Sequence, residues 1–146
     1  MSLTRALRGQ LAGRDDDARR SRRVAAVLQL VERFVYDLGL LIGGRAVDLD
    51  TYVEPVAATR LRDALEPALA AGAVTQPDFG EYAQVRVEGD LLNLAEPVRA
   101  VVEFDDRSTR LDGTGGAMVR LRRRVRLQLV IDPAVTMILD HRLEMV

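Results

Sequence analysis

The first third of the chain repeats apolar residues at the three- and four-residue spacing of an amphipathic helix. Three aspartates at 15–17 suit the positive end of its dipole, and Gly43-Gly44 suits its end. The pattern predicts a helix from Asp16 with this apolar stripe: Val24, Val27, Leu28, Val31, Phe34, Val35, Leu38 and Leu41. Residues 1–15 hold few core candidates and are interpreted as a weakly helical N-terminal arm, followed by one domain at 16–146.

A second helix is predicted between Asp48 and Gly72. Pro55 suits its first turn and Gly72 its end. Its buried stripe is expected to be Val53, Ala57, Leu61, Leu65 and Leu69. Pro67 has no N–H to donate, so this helix is expected to kink or restart near Glu66. Residues 75–80 are predicted to form a loop.

Alternating apolar and polar residues predict strands in the rest of the chain. Residues 82–87 alternate, Pro97 opens a longer strand, and DGTGG at 112–116 is typical of a hairpin turn. An arginine-rich strand then runs to Asp132, and residues 135–146 form the last strand. We therefore predict an α+β fold, in which two main helices pack on one face of a curved, mostly antiparallel sheet ending in a three-stranded meander.

The segment AMVRLRRRVRLQLVID at 117–132 carries a one-sided arginine stripe. Side chains of a strand alternate between its faces, so four arginines share one side: Arg120, Arg122, Arg124 and Arg126. A two-residue turn within DGTGG would set Asp105 opposite Arg122 and Glu103 opposite Arg124. These carboxylates would satisfy the arginines from the preceding strand.

The last strand is expected to satisfy the stripe from its other side. A three-residue turn at 132–134 sets Asp140 opposite Arg126 and Glu144 opposite Arg122. The two hairpins together predict a surface charge ladder of Arg122, Arg124, Arg126, Glu103, Asp105, Asp140 and Glu144. A face that binds nucleic acid or phosphate, and a face that docks another protein, are the two alternatives.

His141 and Arg123 interrupt the apolar side of the last strands. The same register sets His141 opposite Val125 and Arg123 opposite Leu143. One interpretation makes His141 a core residue bonded to a backbone carbonyl, with Arg123 at the rim. The other makes both of them the wall of a ligand pocket, with His141 as the single candidate for acid–base catalysis. No metal site can be built around one histidine at these spacings.

The stretches VDLDTYVEPVAATRLRDAL, VRAVVEFDDRSTRLDG and VTMILDHRLEMV resemble the nuclear-transport-factor-two-like superfamily. The resemblance covers about Val24 to Val146. It implies a cone-shaped α+β fold, and it is closest to the non-catalytic branch that includes the C-terminal domain of the mitochondrial import-motor anchor protein. The aromatic residue common in the family's final strand is missing. The acid–base pairs of its enzymes have no counterpart beyond His141, so the resemblance implies binding rather than catalysis.

Composition narrows the function classes. The 146 residues carry a net charge of −1, all 21 basic residues are arginine, and there is no cysteine. This balance disfavours nucleic acid as a partner, and the absence of thiols excludes disulfides and thiolate metal sites. No apolar run is long enough to span a bilayer, so a cytoplasmic protein or a component of an assembled particle is expected.

We therefore expect a non-catalytic domain, without a cofactor, that binds another protein or assembles with copies of itself. The first alternative is a small-ligand-binding protein or acid–base enzyme with His141 and Arg123 in its pocket. The second alternative is a structural subunit of a larger particle such as a virion, in which residues 1–15 reach a neighbouring copy.

Overall fold

Two α-helices precede seven β-strands in the part of the chain that the structure, a computed structural model, describes: residues 3–71, 74–111 and 116–146. Side chains are described except at 3–12, 68, 71, 74–75 and 81–84. The elements are α1 (Leu3–Ile42), α2 (Pro55–Ala71), β1 (Val74–Gln76), β2 (Phe79–Glu88), β3 (Val98–Asp106), β4 (Thr109–Leu111), β5 (Met118–Arg120), β6 (Arg123–Asp132) and β7 (Met137–Met145). The predicted α+β fold, with helices on a curved antiparallel sheet, is confirmed.

The strands form a strongly curled antiparallel half-barrel made of a four-stranded and a three-stranded sheet. The chain passes between the two sheets at 77–78, 107–108 and 121–122, which we call the bend. Strands β2, β3, β6 and β7 pair antiparallel in the order β2-β3-β6-β7, and β1, β4 and β5 pair in the order β1-β4-β5. At the bend, the Arg107 N–H donates to the carbonyl of Asp78, and the Leu121 N–H donates to the carbonyl of Ser108, both at 2.8 Å. The transitions from β1 to β2, from β3 to β4 and from β5 to β6 therefore all lie at this bend. The prediction of one continuous strand over 117–132 is wrong, because residues 121–122 separate β5 from β6.

The core lies between the helices and the concave face of the sheet. Phe34 of α1, Ala57 of α2, and Phe104 and Leu129 of the sheet are at most 1% exposed. Burying one side chain of the size of Phe34 contributes roughly 1.5–3 kcal/mol relative to leaving it in water. The two helices are therefore held on the sheet mainly by apolar burial.

The structure confirms the predicted end of α1 and both predicted ends of α2, which runs from Pro55 to Ala71, but α1 begins earlier than predicted. Gly44 follows α1 with a φ of 78°, and its N–H donates to the carbonyl of Leu41 at 2.9 Å. This confirms the predicted end, since glycine enters the left-handed region without strain. At the other end, α1 already begins at Leu3, so the predicted arm belongs to the same helix as the body. Helix α2 continues through Pro67 to Ala71 and does not restart at Glu66.

The connections between strands correct three further predictions. Residues 75–80 are mostly strand, because β1 and β2 leave only Pro77 and Asp78 between them. Residues 112–115 of the predicted hairpin turn lie outside the described residues. The pair that closes this hairpin is Leu111 with Met118, so six residues separate the paired strands, whereas the prediction had two. The register of β6 against β3 is consequently two residues away from the predicted one.

The last hairpin is also longer than predicted. Its closing pair is Asp132 with Met137, and Thr136 takes a φ of 52° in the four-residue turn between them. An irregularity between Val130 and Ile131 moves the register by one more residue. Together these shift β7 by four residues against the prediction. An even shift keeps every side chain on its expected face but gives each one a different neighbour.

Candidate functional site

An open groove lined almost entirely by arginine lies beside the bend. We call it the arginine groove; its volume is about 480 Å³, and its lining residues are Asp105, Arg107, Arg120, Arg122, Arg123 and Arg124. Arg120 of β5 and Arg124 of β6 line the same groove, and Arg122 joins them from the two-residue segment between these strands. Arg107 joins them from the bend of the neighbouring strand.

Three of the five groove arginines, Arg107, Arg120 and Arg122, are poorly neutralised, whereas Arg123 and Arg124 form close ion pairs. Arg122 forms no ion pair with any carboxylate among the described residues. Arg120 lies 4.0 Å from a carboxylate oxygen of Asp78, and Arg107 lies 3.5 Å from one of Asp105. These are long contacts for charged pairs, whose usual N–O distance is about 2.7–2.9 Å. The groove therefore presents guanidinium groups that can still accept an anionic partner.

A set of ion pairs lies on β3, β6 and β7 and shares Asp105 and Arg124 with the arginine groove. We call it the ion-pair network, and its members are Glu103, Asp105, Arg124, Arg126 and Glu144. Glu103 accepts from Arg126 at 2.7 Å and lies 3.6 Å from Arg124. Asp105 accepts from Arg124 at 3.1 Å, and Glu144 lies 4.0 Å from Arg126. The arginines of β6 are thus largely satisfied within the molecule.

The electrostatics of Glu103 reflect its two arginine neighbours. The hydrogen bond from Arg126 lowers the pKa of this carboxyl below its usual value near 4.5. Partial desolvation opposes this shift, while the charges of Arg126 and Arg124 add to it. Glu103 is therefore held in its ionised form by the network.

Two members of the predicted charge ladder lie elsewhere, and its pairings change. The structure sets Asp105 opposite Arg124 and Glu103 opposite Arg126, so the pairs predicted with Arg122 and Arg124 are wrong. Glu144 lies opposite Arg126 rather than Arg122.

Asp140 is directed to a helix instead of to the stripe. It lies opposite Val130 and accepts a hydrogen bond from Arg60 of α2 at 2.5 Å. Arg122, the other misplaced member, lies in the bend between β5 and β6, beyond the reach of β7. Both differences follow from the longer hairpin turns.

Arg123 lies where the arginine groove meets the inside of the sheet. Its Nε–H donates to the carboxylate of Asp106 at 2.7 Å, and Asp106 also accepts from the Ser108 N–H at 3.0 Å. Asp106 is 1% exposed, whereas the Arg123 side chain is 40% exposed. A buried carboxylate thus anchors an arginine that still reaches solvent.

Arg123 also lines an apolar cleft of about 100 Å³ between the helices and the sheet; we call it the apolar cleft. Nine of its lining residues are apolar and three are charged, namely Asp106, Arg110 and Arg123. Leu38 and Leu65 belong to the helical wall.

His141 lies away from this cleft. Its Nε2 is 3.0 Å from the carbonyl oxygen of Ala57, to which an Nε2–H would donate, and its ring centroid is 6.1 Å from that of Phe34. It lies opposite Leu129 and is partly buried. Of the two residues of the alternative pocket, only Arg123 lines the apolar cleft. The carbonyl bond is the one expected for a core histidine, although its burial is only partial.

A buried polar pair between α1 and the segment before α2 was not predicted from the sequence. The Tyr52 hydroxyl donates to the carboxylate of Asp37 at 2.5 Å, and both residues are buried. Burial, reinforced by this hydrogen bond, raises the pKa of Tyr52, so the phenol keeps its proton. The signal was available: Asp37 lies three residues after Phe34 and so on the buried face of α1. The pair fastens α1 to the segment before α2.

No protein family, curated protein or solved structure matches this chain. Within 3–71, 74–111 and 116–146, no three histidine, aspartate or glutamate side chains are grouped as a metal site would require. The helices of the same residues contain no apolar segment long enough to cross a membrane. The case for a function therefore depends on the geometry of the groove and the cleft.

Proposed function

We propose that this chain is a non-catalytic domain that binds a partner protein, whose acidic segment lies in the arginine groove. The observation that carries the proposal is a groove of about 480 Å³ in which five arginines line the wall beside one carboxylate. Guanidinium groups bind carboxylates through paired, planar hydrogen bonds, which lysine cannot form. Arg122, which has no ion-pair partner among the described residues, is the first residue that such a segment would contact.

Two observations favour a protein over a nucleic acid as the occupant. Among the side chains that the structure describes, none that lines the groove is aromatic, so these residues offer no stacking surface for bases. Leu111 and Met118 pair across β4 and β5 on the same face as Arg120, and they are 42% and 57% exposed. Exposed methionine beside arginine is typical of protein interfaces. The partner segment is therefore expected to carry apolar residues next to its carboxylates.

The expected affinity is modest and depends on salt. Each exposed charge pair contributes about 0.2–1 kcal/mol, so several must act together for measurable binding. At physiological ionic strength the Debye length is about 8 Å, which screens groups outside the groove more than those inside it. Binding should weaken steadily as salt is raised.

The test measures binding of a fluorescently labelled ten-residue peptide, rich in glutamate with a central leucine, by fluorescence anisotropy. Arg122→Gln should weaken binding about fivefold, the equivalent of about 1 kcal/mol. The matched control is Arg126→Gln, since Arg126 lies on the same face but outside the groove; it should change affinity by less than about twofold.

Either of two results would reject the proposal. One is an equal loss of affinity in both variants, since the groove would then have no special role. The other is tighter binding by a single-stranded oligonucleotide of the same charge than by the peptide. The second result would make nucleic acid the occupant.

Self-association through β7 is a second candidate. Strand β7 is an edge of the four-stranded sheet, and Ile138 at its start is bridged by Val53. Farther along, Leu143 and Met145 are 42% and 58% exposed. An uncovered edge strand with apolar side chains can pair with a second copy. Light scattering tests this candidate: a dimer that Met145→Lys dissociates supports it, and a monomeric wild type rejects it.

A further inference from the structure

The apolar cleft has the features of a binding site that is separate from the arginine groove. It opens on the concave side of the sheet, where its wall comes from both helices and from the strands next to the bend. Phe79 and Phe104 pack against each other in this wall, with ring centroids 4.9 Å apart and ring planes tilted by 50°. Its polar groups are few and are confined to the edge near the bend, as in ligand sites that combine an apolar body with a charged end.

The charges at the cleft select the sign of the ligand. Two guanidinium groups, those of Arg110 and Arg123, face one carboxylate, that of Asp106. Asp106 is occupied by Arg123 and by the Ser108 N–H. Arg110, by contrast, is exposed and pairs with no carboxylate among the described residues. The excess of one positive charge favours a monoanion and disfavours an amine.

The size of the cleft selects a short ligand. A cavity of about 150 Å³ in a protein interior holds one benzene molecule, that is, six carbon atoms. By that measure, the cleft of about 100 Å³ holds an apolar body of about four carbons. Its open mouth leaves the charged end of the ligand outside this volume.

We propose that the apolar cleft binds a short-chain monocarboxylate with about four to six carbons. Its alkyl chain lies against Phe104 and Leu121, and its carboxylate pairs with Arg110 and with the part of the Arg123 guanidinium that Asp106 leaves free. The site shares Arg123 with the arginine groove, but Arg110 lines only the cleft, so a change at Arg110 separates this site from the proposed partner site.

The experiment titrates butanoate, hexanoate and decanoate into the ¹⁵N-labelled chain and follows amide shifts by NMR. Shifts should cluster at Arg110, Leu121 and Arg123, and hexanol and hexylamine should bind at least about tenfold more weakly than hexanoate. Arg110→Gln changes an exposed residue and should lower hexanoate affinity about tenfold. Arg122→Gln, the matched control in the groove, should leave hexanoate affinity unchanged.

Three results would overturn this inference: no binding of any carboxylate at millimolar concentration, equal binding of hexanol, or equal losses in Arg110→Gln and Arg122→Gln. Decanoate binding more tightly than hexanoate would contradict the size argument. Measuring the affinity of the acidic peptide for Arg110→Gln distinguishes this inference from the proposed function. Peptide affinity should be unchanged in that variant, whether or not hexanoate binds to the cleft.

Discussion

The two ends of the arginine-rich segment differ in whether a carboxylate lies opposite their arginines. On β6, Arg124 and Arg126 lie opposite Asp105 and Glu103, so each has a carboxylate within reach. Beyond the bend, Arg120 lies opposite Thr109, a residue without charge. Arginines lie on both sides of the bend, but the strand that faces them differs. Whether such a stripe is a stable surface or a binding groove is therefore decided by register.

The largest loss of stability is expected from replacing Asp106, which lies at the bend between the two ends of the segment. Asp106→Ala leaves the buried Ser108 N–H without its acceptor and Arg123 without its anchor. The free energy of unfolding should fall by about 1–3 kcal/mol, the usual cost of leaving a buried polar group unpaired. Urea denaturation measures this change. The matched control is Asp105→Ala in the more exposed ion-pair network. An equally large loss of stability in that variant would mean that the buried bonds of Asp106 contribute no more than an exposed ion pair.

A smaller loss should follow from reversing the charge at the centre of the network. In Glu103→Arg, both Arg124 and Arg126 lose their shared carboxylate and gain a like charge. Thermal unfolding should show a lower midpoint than for Glu88→Arg, the control on β2, because Glu88 has only a long contact of 3.9 Å with Arg86. Equal midpoints would mean that the network contributes no more than an ordinary exposed pair.

The pH dependence of stability should separate the network from the groove. Because the pKa of Glu103 is lowered in the folded state, the network's stabilisation is present above about pH 4.5 and is lost as pH falls through the lower folded value. The stability difference between wild type and Glu103→Gln should therefore shrink below pH 4.5. Urea midpoints at pH 7, 5, 4 and 3 measure this. A difference that is constant over that range would contradict the pairing.

The smallest change in stability is expected in the groove itself. Arg122→Ala removes an exposed side chain that pairs with no carboxylate in the described part of the chain, so stability should stay within about 0.5 kcal/mol. Arg126→Ala, which breaks the bond to Glu103, should cost more, up to about 1 kcal/mol. Chemical denaturation of the two variants side by side makes the comparison. The reverse order would mean that Arg122 is already satisfied.

Much of the fold could be predicted because periodicity reports which side of an element is buried. Phe34 on α1, and Val102 and Leu129 on the sheet, are buried as their spacing required. What periodicity cannot report is the number of residues in a turn. A shift of two or four residues preserves the apolar pattern, so Glu103 could be assigned to the correct face and still to the wrong arginine.

The groove and the cleft were harder to predict for a related reason. Strand β3 ends at Asp106, and Arg122 lies on an open surface between β5 and β6. Asp106 and Ser108 are residue types common in turns, and they were the signal available in the sequence. Asp106 continues the two-residue spacing of Val102 and Phe104, so alternation places it on the buried face, where it is 1% exposed, and only its charge argued against burial. His141 does not line the apolar cleft, because the longer last turn sets it opposite Leu129 rather than Val125.

The most direct test of the split between network and groove is an NMR titration that observes the arginine Nε–H groups themselves. Adding the glutamate-rich peptide should shift the signals of Arg107, Arg120 and Arg122, while that of Arg126 stays in place because Glu103 already holds it. Shifts of equal size at Arg122 and Arg126, or none at Arg122 when peptide is in excess, would contradict the account.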